Sequence, residues 1–164
     1  MSSLKSKGIV KVASMMNMKN RINYFKFAPE ALESYFELEK YAKKTSIDRQ
    51  LRELIKIRVS QINGCSYCLE MHTKEAKKLK VTDERIDGLN DWKESDLYDE
   101  KEKIALQLAE NITLISELGV NDDFYNEVRE HYNEKEYVEL VLIINQINAW
   151  NRLGVSMGNK AEVE

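Results

Sequence analysis

Residues Leu51–Leu79, "LRELIKIRVSQINGCSYCLEMHTKEAKKL", decide the fold. They read as one helix, a stop and a second helix. Leu51, Leu54, Ile55, Arg58, Val59 and Ile62 stand at offsets 0, 3, 4, 7, 8 and 11, which is one face of a helix. Asn63-Gly64 then provides a left-handed stop. The second helix starts at or near Cys65 and runs to about Leu79, with Met71, Ala76 and Leu79 as its apolar contacts. Upstream, "TSID" (Thr45–Asp48) has the spacing of a capping box that opens the first helix.

Helical spacing continues outward in both directions. Pro29 stands where a helix over residues 30–43, "EALESYFELEKYAK", can begin. Thr82 can cap a short helix from Asp83 to about Trp92. Asp99, with Glu102 three residues on, can cap another over about 100–114. Asn121 caps one over about 122–132. The last helix, about Glu134–Met157, contains "YVELVLIINQINAWNRLGV", hydrophobic nearly all round, and is expected at the centre or at an interface. The expected fold is an all-α single-domain helical bundle of six to seven helices, with the CxxC pair at the start of a helix.

Composition agrees. The 164 residues include six Gly and one Pro, few enough for long helices with few turns. With 43% hydrophobic and 32% charged residues, the chain has the profile of a soluble globular domain. A net charge of −3 gives no basic footprint for nucleic acid. No run approaches the roughly 18 apolar residues of a membrane span, and the N-terminus lacks the apolar core of a secretory signal. The expectation is a cytoplasmic protein without nucleic-acid or membrane partners. In a reducing compartment a CxxC pair is more often catalytic or metal-binding than a structural staple.

Cys65, Cys68 and His72 are spaced by three and four, so all three side chains share one helical face. Cys65 falls in the first turn, where free backbone N–H groups and the positive dipole end favour a thiolate. Cys68 is within reach of both Cys65 and His72, and a disulfide between positions i and i+3 is geometrically possible. His72 can take a proton from Cys68 or stabilise its thiolate, which makes a nucleophile, a resolving thiol and a base. Other readings stay open. The cysteines can be core filler. A structural zinc site needs four ligands, and the chain offers two Cys and two His, with His131 about 60 positions away on another helix. The pair can also act without His72. Glu53 lies twelve residues before Cys65. If the helices fold back on each other, its carboxylate comes beside Cys68 and His72. On the residues alone, a solvated helix charge paired with Arg52 or Lys56 is the preferred reading of Glu53.

Leu51–Leu79 closely resembles the core motif of the alkylhydroperoxidase D-like (AhpD-like) family, within the carboxymuconolactone decarboxylase superfamily. That motif is a glutamate, a CxxC pair and a histidine, matched by Glu53, Cys65, Cys68 and His72. The resemblance extends through "RINYFKFAPEALESYFELEKY", "LNDWKESDLYDEKEKIALQLAENIT" and "INAWNRLGV", roughly residues 20–157. It implies a domain over 20–164 preceded by an N-terminal extension, 1–19.

The resemblance further implies a thiol-dependent peroxidase. Cys68 would attack a hydroperoxide, and Cys65 would resolve the sulfenic acid as a disulfide. Glu53 and His72 would form the proton relay. An external dithiol, lipoyl or thioredoxin-like, would reduce the disulfide, with Cys65 as the exposed thiol that exchanges with it. No cofactor and no metal is implied. A homo-oligomer, trimer or hexamer, is expected. The chain departs from the founding enzymes at Tyr67, where they carry a second histidine. The decarboxylase branch lacks the cysteine pair, so lactone decarboxylation is disfavoured. The alternative is a redox-sensing or thiol–disulfide domain without peroxide turnover.

Overall fold

Residues 21–159 are described by a computed structural model and hold eight α-helices and no strand. These are α1 (Tyr24–Phe27), α2 (Pro29–Ala42), α3 (Arg49–Ile62), α4 (Ser66–Lys78), α5 (Asp83–Asp87), α6 (Glu100–Thr113), α7 (Asp122–His131) and α8 (Glu134–Ser156). The bundle is one compact all-α domain. The one-turn α1 has no counterpart in the sequence reading. The N-terminal extension, 1–19, lies outside the described residues.

Local signals account for most boundaries. Pro29 occupies the first turn of α2. Asp99 and Glu102 form a reciprocal capping box on α6, and the Asn121 side chain accepts from the Phe124 amide at 2.9 Å on α7. Gly64 adopts φ +65°, the left-handed stop between α3 and α4. Two boundaries differ from expectation. The N-cap of α3 is Asp48, whose carboxylate accepts from the Gln50 and Leu51 amides at 2.8 and 3.0 Å. Thr45 instead donates its hydroxyl to the Ala42 carbonyl at the end of α2. An ionised cap gains from the helix dipole as well as from the hydrogen bonds, so Asp48 displaces Thr45. Helix α5 stops at Asp87 and passes into a 3₁₀ turn at Gly88–Asn90, short of Trp92. The Trp92 indole N–H reaches across to Glu110 on α6 at 2.9 Å, which draws the chain away from the helix path.

Helices α3 and α8 are the inner elements. Helix α3 packs against α4, α6 and α8, and α8 also packs against α2, α4 and α7. Leu54, Ile55 and Ile57 of α3 meet Leu140, Ile143, Ile144 and Ile147 of α8 in one apolar core with Leu106 and Leu108 of α6. Burying each such side chain stabilises the fold by roughly 1.5–3 kcal/mol. A second cluster forms around Trp150, with Tyr35 and Phe36 of α2 at ring-centroid distances of 5.1 and 5.3 Å.

The polar residues of α8 tie the α3–α4 turn in place. Asn63 donates to the side-chain oxygens of Asn148 and Asn151 at 2.9 and 3.0 Å. Asn151 donates to Ser60 Oγ at 3.1 Å, and Asn148 to Thr113 Oγ1 on α6 at 3.0 Å. The amides inside the apolar helix thus fix the turn that presents Cys65. No helix among the described residues is long and apolar enough to cross a membrane.

Candidate active site

The turn at Asn63-Gly64 sets α3 and α4 side by side, and this contact brings the four singled-out residues together. Cys65 is the N-cap of α4, Cys68 sits three residues on in the same first turn, and His72 follows one turn later. The two Sγ atoms are joined in a disulfide across a Cα–Cα separation of 5.3 Å. Because both sulfurs lie at the positive end of α4, the dipole argument that singled out Cys65 applies to Cys68 as well.

Glu53 is buried, not solvated. Its Oε2 lies 2.8 Å from His72 Nδ1, and its Oε1 lies 3.7 Å from the buried Lys56 ammonium. The reading of Glu53 as a solvated helix charge is therefore corrected. Three charged residues of α3 (Arg52, Glu53 and Lys56) are turned inward beside its apolar face. Burial pushes the Glu53 carboxyl upward, but the hydrogen bond from His72 and the charges of Lys56, His72 and Arg52 outweigh it and hold it at about 2. An ionised carboxylate only accepts, so Nδ1 carries the proton and donates. Whenever the ring is neutral, Nε2 is its basic nitrogen.

Cys68 and His72 line a cavity of about 20 Å³ between α2, α4 and α8, together with Tyr67 and Met71 of α4 and Gln146 and Trp150 of α8. Phe36, Glu39 and Asn159 complete its wall. Cys65 is not among the lining residues. Both cysteines are buried, Cys65 at 1% exposure and Cys68 at 4%. The expectation that Cys65 is the exposed thiol is corrected, and the reason is Gly154 of α8. A Cβ at that position would stand 3.2 Å from Cys65 Sγ and 3.8 Å from Cys68 Sγ. Glycine lets the α8 backbone close directly over the disulfide. Gly154→Val is expected to overpack this contact and to lower stability by about 1–3 kcal/mol, measured from the denaturant midpoint.

Tyr67 lines the cavity in the place of the second histidine. His131 lies at the end of α7, an element distant in sequence from the CxxC turn. Among the described residues, no three or more His, Cys, Asp or Glu side chains converge as a metal site. Sequence reasoning missed the lining residues Phe36, Glu39, Trp150 and Asn159, and the close approach of Gly154. Gln146 did leave a signal, as one of the amides in an otherwise apolar helix.

A helical protein with a CxxC disulfide at a helix start and a buried glutamate–histidine pair beside it belongs to a narrow class. The sequence profile of the carboxymuconolactone decarboxylase family matches residues 29–111, and the chain belongs to this family, in its AhpD-like group. It is 54% identical over 144 residues to the uncharacterized protein YdfG of Bacillus subtilis (strain 168), covering 88% of this chain and 98% of that one. The crystal structure of a protein of unknown function from Agrobacterium tumefaciens, a candidate antioxidant defence protein AhpD, superposes with a TM-score of 0.84. It is 36% identical and covers 89% of this chain and 100% of that one. The debrominase Bmp8 shares the fold at a TM-score of 0.76 and 20% identity, covering 99% of this chain and 90% of that one. Members of the family are enzymes.

Proposed function

We propose that this protein is a thiol-dependent peroxidase that reduces hydroperoxides through a Cys65/Cys68 dithiol–disulfide cycle. The observation that carries the reading is the buried Glu53–His72 pair beside the disulfide. Glu53 is hydrogen-bonded to His72 Nδ1, and His72 lines the same small cavity as Cys68. In the reduced state His72 Nε2 takes the Cys68 thiol proton. The thiolate attacks one peroxide oxygen and the O–O bond breaks. The electron pair leaves on the other oxygen, which takes a proton from His72 and departs as alcohol or water. Cys68 then carries a sulfenic acid. The Cys65 thiolate attacks the Cys68 sulfur, expels hydroxide, and closes the disulfide. An external dithiol, lipoyl or thioredoxin-like, supplies two electrons to reopen it. On this reading the enzyme is cytoplasmic and a homo-oligomer.

The test is a thiol count. Fully reduced protein treated with one equivalent of hydroperoxide is expected to lose two thiols per chain and to regain both with a dithiol. Loss of no more thiol than in a peroxide-free control would overturn the peroxidase reading. Thiol loss in one round without sustained peroxide consumption in the presence of dithiol would favour the redox-sensing alternative.

A further inference from the structure

Lys56 is 2% exposed, one of the most completely buried large side chains among the described residues. A lysine is rarely buried so fully unless it is paired, because an ammonium is costly to take out of water. Its Nζ lies 3.7 Å from Glu53 Oε1. The other oxygen of the same carboxylate, Oε2, lies 2.8 Å from His72 Nδ1. One buried anion is thus shared by an ammonium and an imidazole, and the cycle derived above makes no use of the ammonium.

The other charges packed around this group are engaged elsewhere. From α3, Arg52 is a second buried cation, and its Nη1 donates to the Ala42 carbonyl at 3.0 Å. Arg58 of the same helix pairs with Glu110 of α6, which also takes the Trp92 indole N–H and Lys93. From α2, Glu39 lines the cavity with His72 and pairs with Lys43 at 3.1 Å. From α4, Tyr67 and Cys68 line the same cavity. From α8, the buried Glu139 accepts from Ser46 and Lys135. While His72 is neutral, Arg52 and Lys56 already face the single Glu53 anion. Protonating His72 adds a third cation to that buried set, and like charges oppose each other strongly where water is scarce.

We propose that Lys56 is a positioning residue for the peroxide reaction: by sharing the Glu53 carboxylate it keeps His72 from being locked as imidazolium. This assignment deepens the peroxidase reading given above and rests on it. The proton moves from Cys68 Sγ to His72 Nε2, and from there to the oxygen that leaves when the thiolate attacks the O–O bond. A histidine that is already protonated cannot make the first transfer. An imidazolium facing a second buried cation makes the second more readily, because it is the stronger acid. Lys56 itself gives up no proton.

The experiment titrates His72 by NMR in the disulfide form, where neither cysteine titrates. His131 on α7, the other histidine of the chain, is the internal reference. Lys56→Met and Lys56→Gln remove the charge, and each is expected to raise the His72 midpoint by about one pH unit or more while His131 stays in place. Lys56→Arg restores a cation and is expected to bring His72 back toward the wild-type midpoint. In reduced protein, the acid limb of thiol loss with tert-butyl hydroperoxide is expected to move the same way. A His72 midpoint unchanged or lowered in the neutral variants overturns the assignment. So does a shift shared by His131, or one that Lys56→Arg leaves in place, since either marks a change of shape rather than of charge. Isotope-labelled lysine reads the same coupling in the wild type without any substitution. The Lys56 resonance is expected to stay that of an ammonium and to inflect at the His72 midpoint, and a resonance without that inflection overturns the assignment. A wild type inert to hydroperoxide overturns the peroxidase reading, and the His72 titration then still decides whether Lys56 sets the histidine.

Discussion

Replacing Cys68 by serine is expected to reduce hydroperoxide consumption by about 10³-fold or more, whereas Cys65→Ser retains one turnover that stops at a sulfenic acid. The asymmetry follows from what each sulfur faces. Cys68 lines the cavity with His72, and Cys65 lies beneath the α8 backbone at Gly154. A peroxide can reach only the sulfur that borders open space, and His72 sits one turn from that sulfur on the same face of α4. Mass spectrometry after trapping with dimedone reads the outcome directly. Cys65→Ser should show one adduct on Cys68, and Cys68→Ser should show none. The opposite pattern, with an adduct on Cys65, would assign the attack to the helix cap and reverse the roles of the two thiols.

The second large effect is expected at Glu53. Removing its charge with Glu53→Gln leaves Lys56 buried beside a neutral amide and takes the anionic acceptor away from His72 Nδ1. Breaking a buried ion pair on one side costs about 3–5 kcal/mol. The pH dependence carries the same information. The carboxyl is held at about 2 in the folded chain, against 4.5 for an ordinary glutamate. Between those values the unfolded chain binds the proton and the folded chain does not, so stability falls as the solution is acidified. The contribution is fully present above about pH 4.5 and is lost as pH drops through about 2. It amounts to about 3 kcal/mol for a depression of this size. Urea unfolding from pH 6 to pH 2 should show this loss in the wild type and a flatter profile in Glu53→Gln. Equal slopes in the two proteins would mean that Glu53 is not held ionised by its partners. The peroxide rate of the variant should fall about 10²–10⁴-fold, because the imidazole loses the group that fixes its tautomer.

Much of the architecture was legible because its causes are local. Pro29, Asn63-Gly64, Asp99 with Glu102, and Asn121 act on their own turns, and the helices begin or end where those residues stand. The exceptions have long-range causes. Trp92 leaves the helix path for Glu110 eighteen residues away. Thr45 and Asp48 offered two local solutions, and the charged one prevailed. At the site, Cys65, Cys68 and His72 shared a face by spacing alone. The burial of Glu53 was not legible, because "RELIK" reads equally well as a solvated charge cluster until His72 of α4 packs against it. Gln146, Trp150 and Asn159 come from the far end of the chain and meet Cys68 only through tertiary packing. Nothing in their local sequence distinguishes Trp150 or Asn159 from core or tail residues.

The N-cap of α4 has a consequence for how the domain senses its own oxidation. Cys65 occupies a position usually held by Ser, Thr, Asp or Asn, and its side chain makes no capping hydrogen bond while it is tied to Cys68. Freed as a thiolate, the same sulfur stands at the positive end of the helix as an anion, where capping interactions contribute about 1 kcal/mol. Helix α4 is therefore expected to be better terminated in the dithiol than in the disulfide, and amide exchange in its first turn, compared between the two redox states, reads the difference.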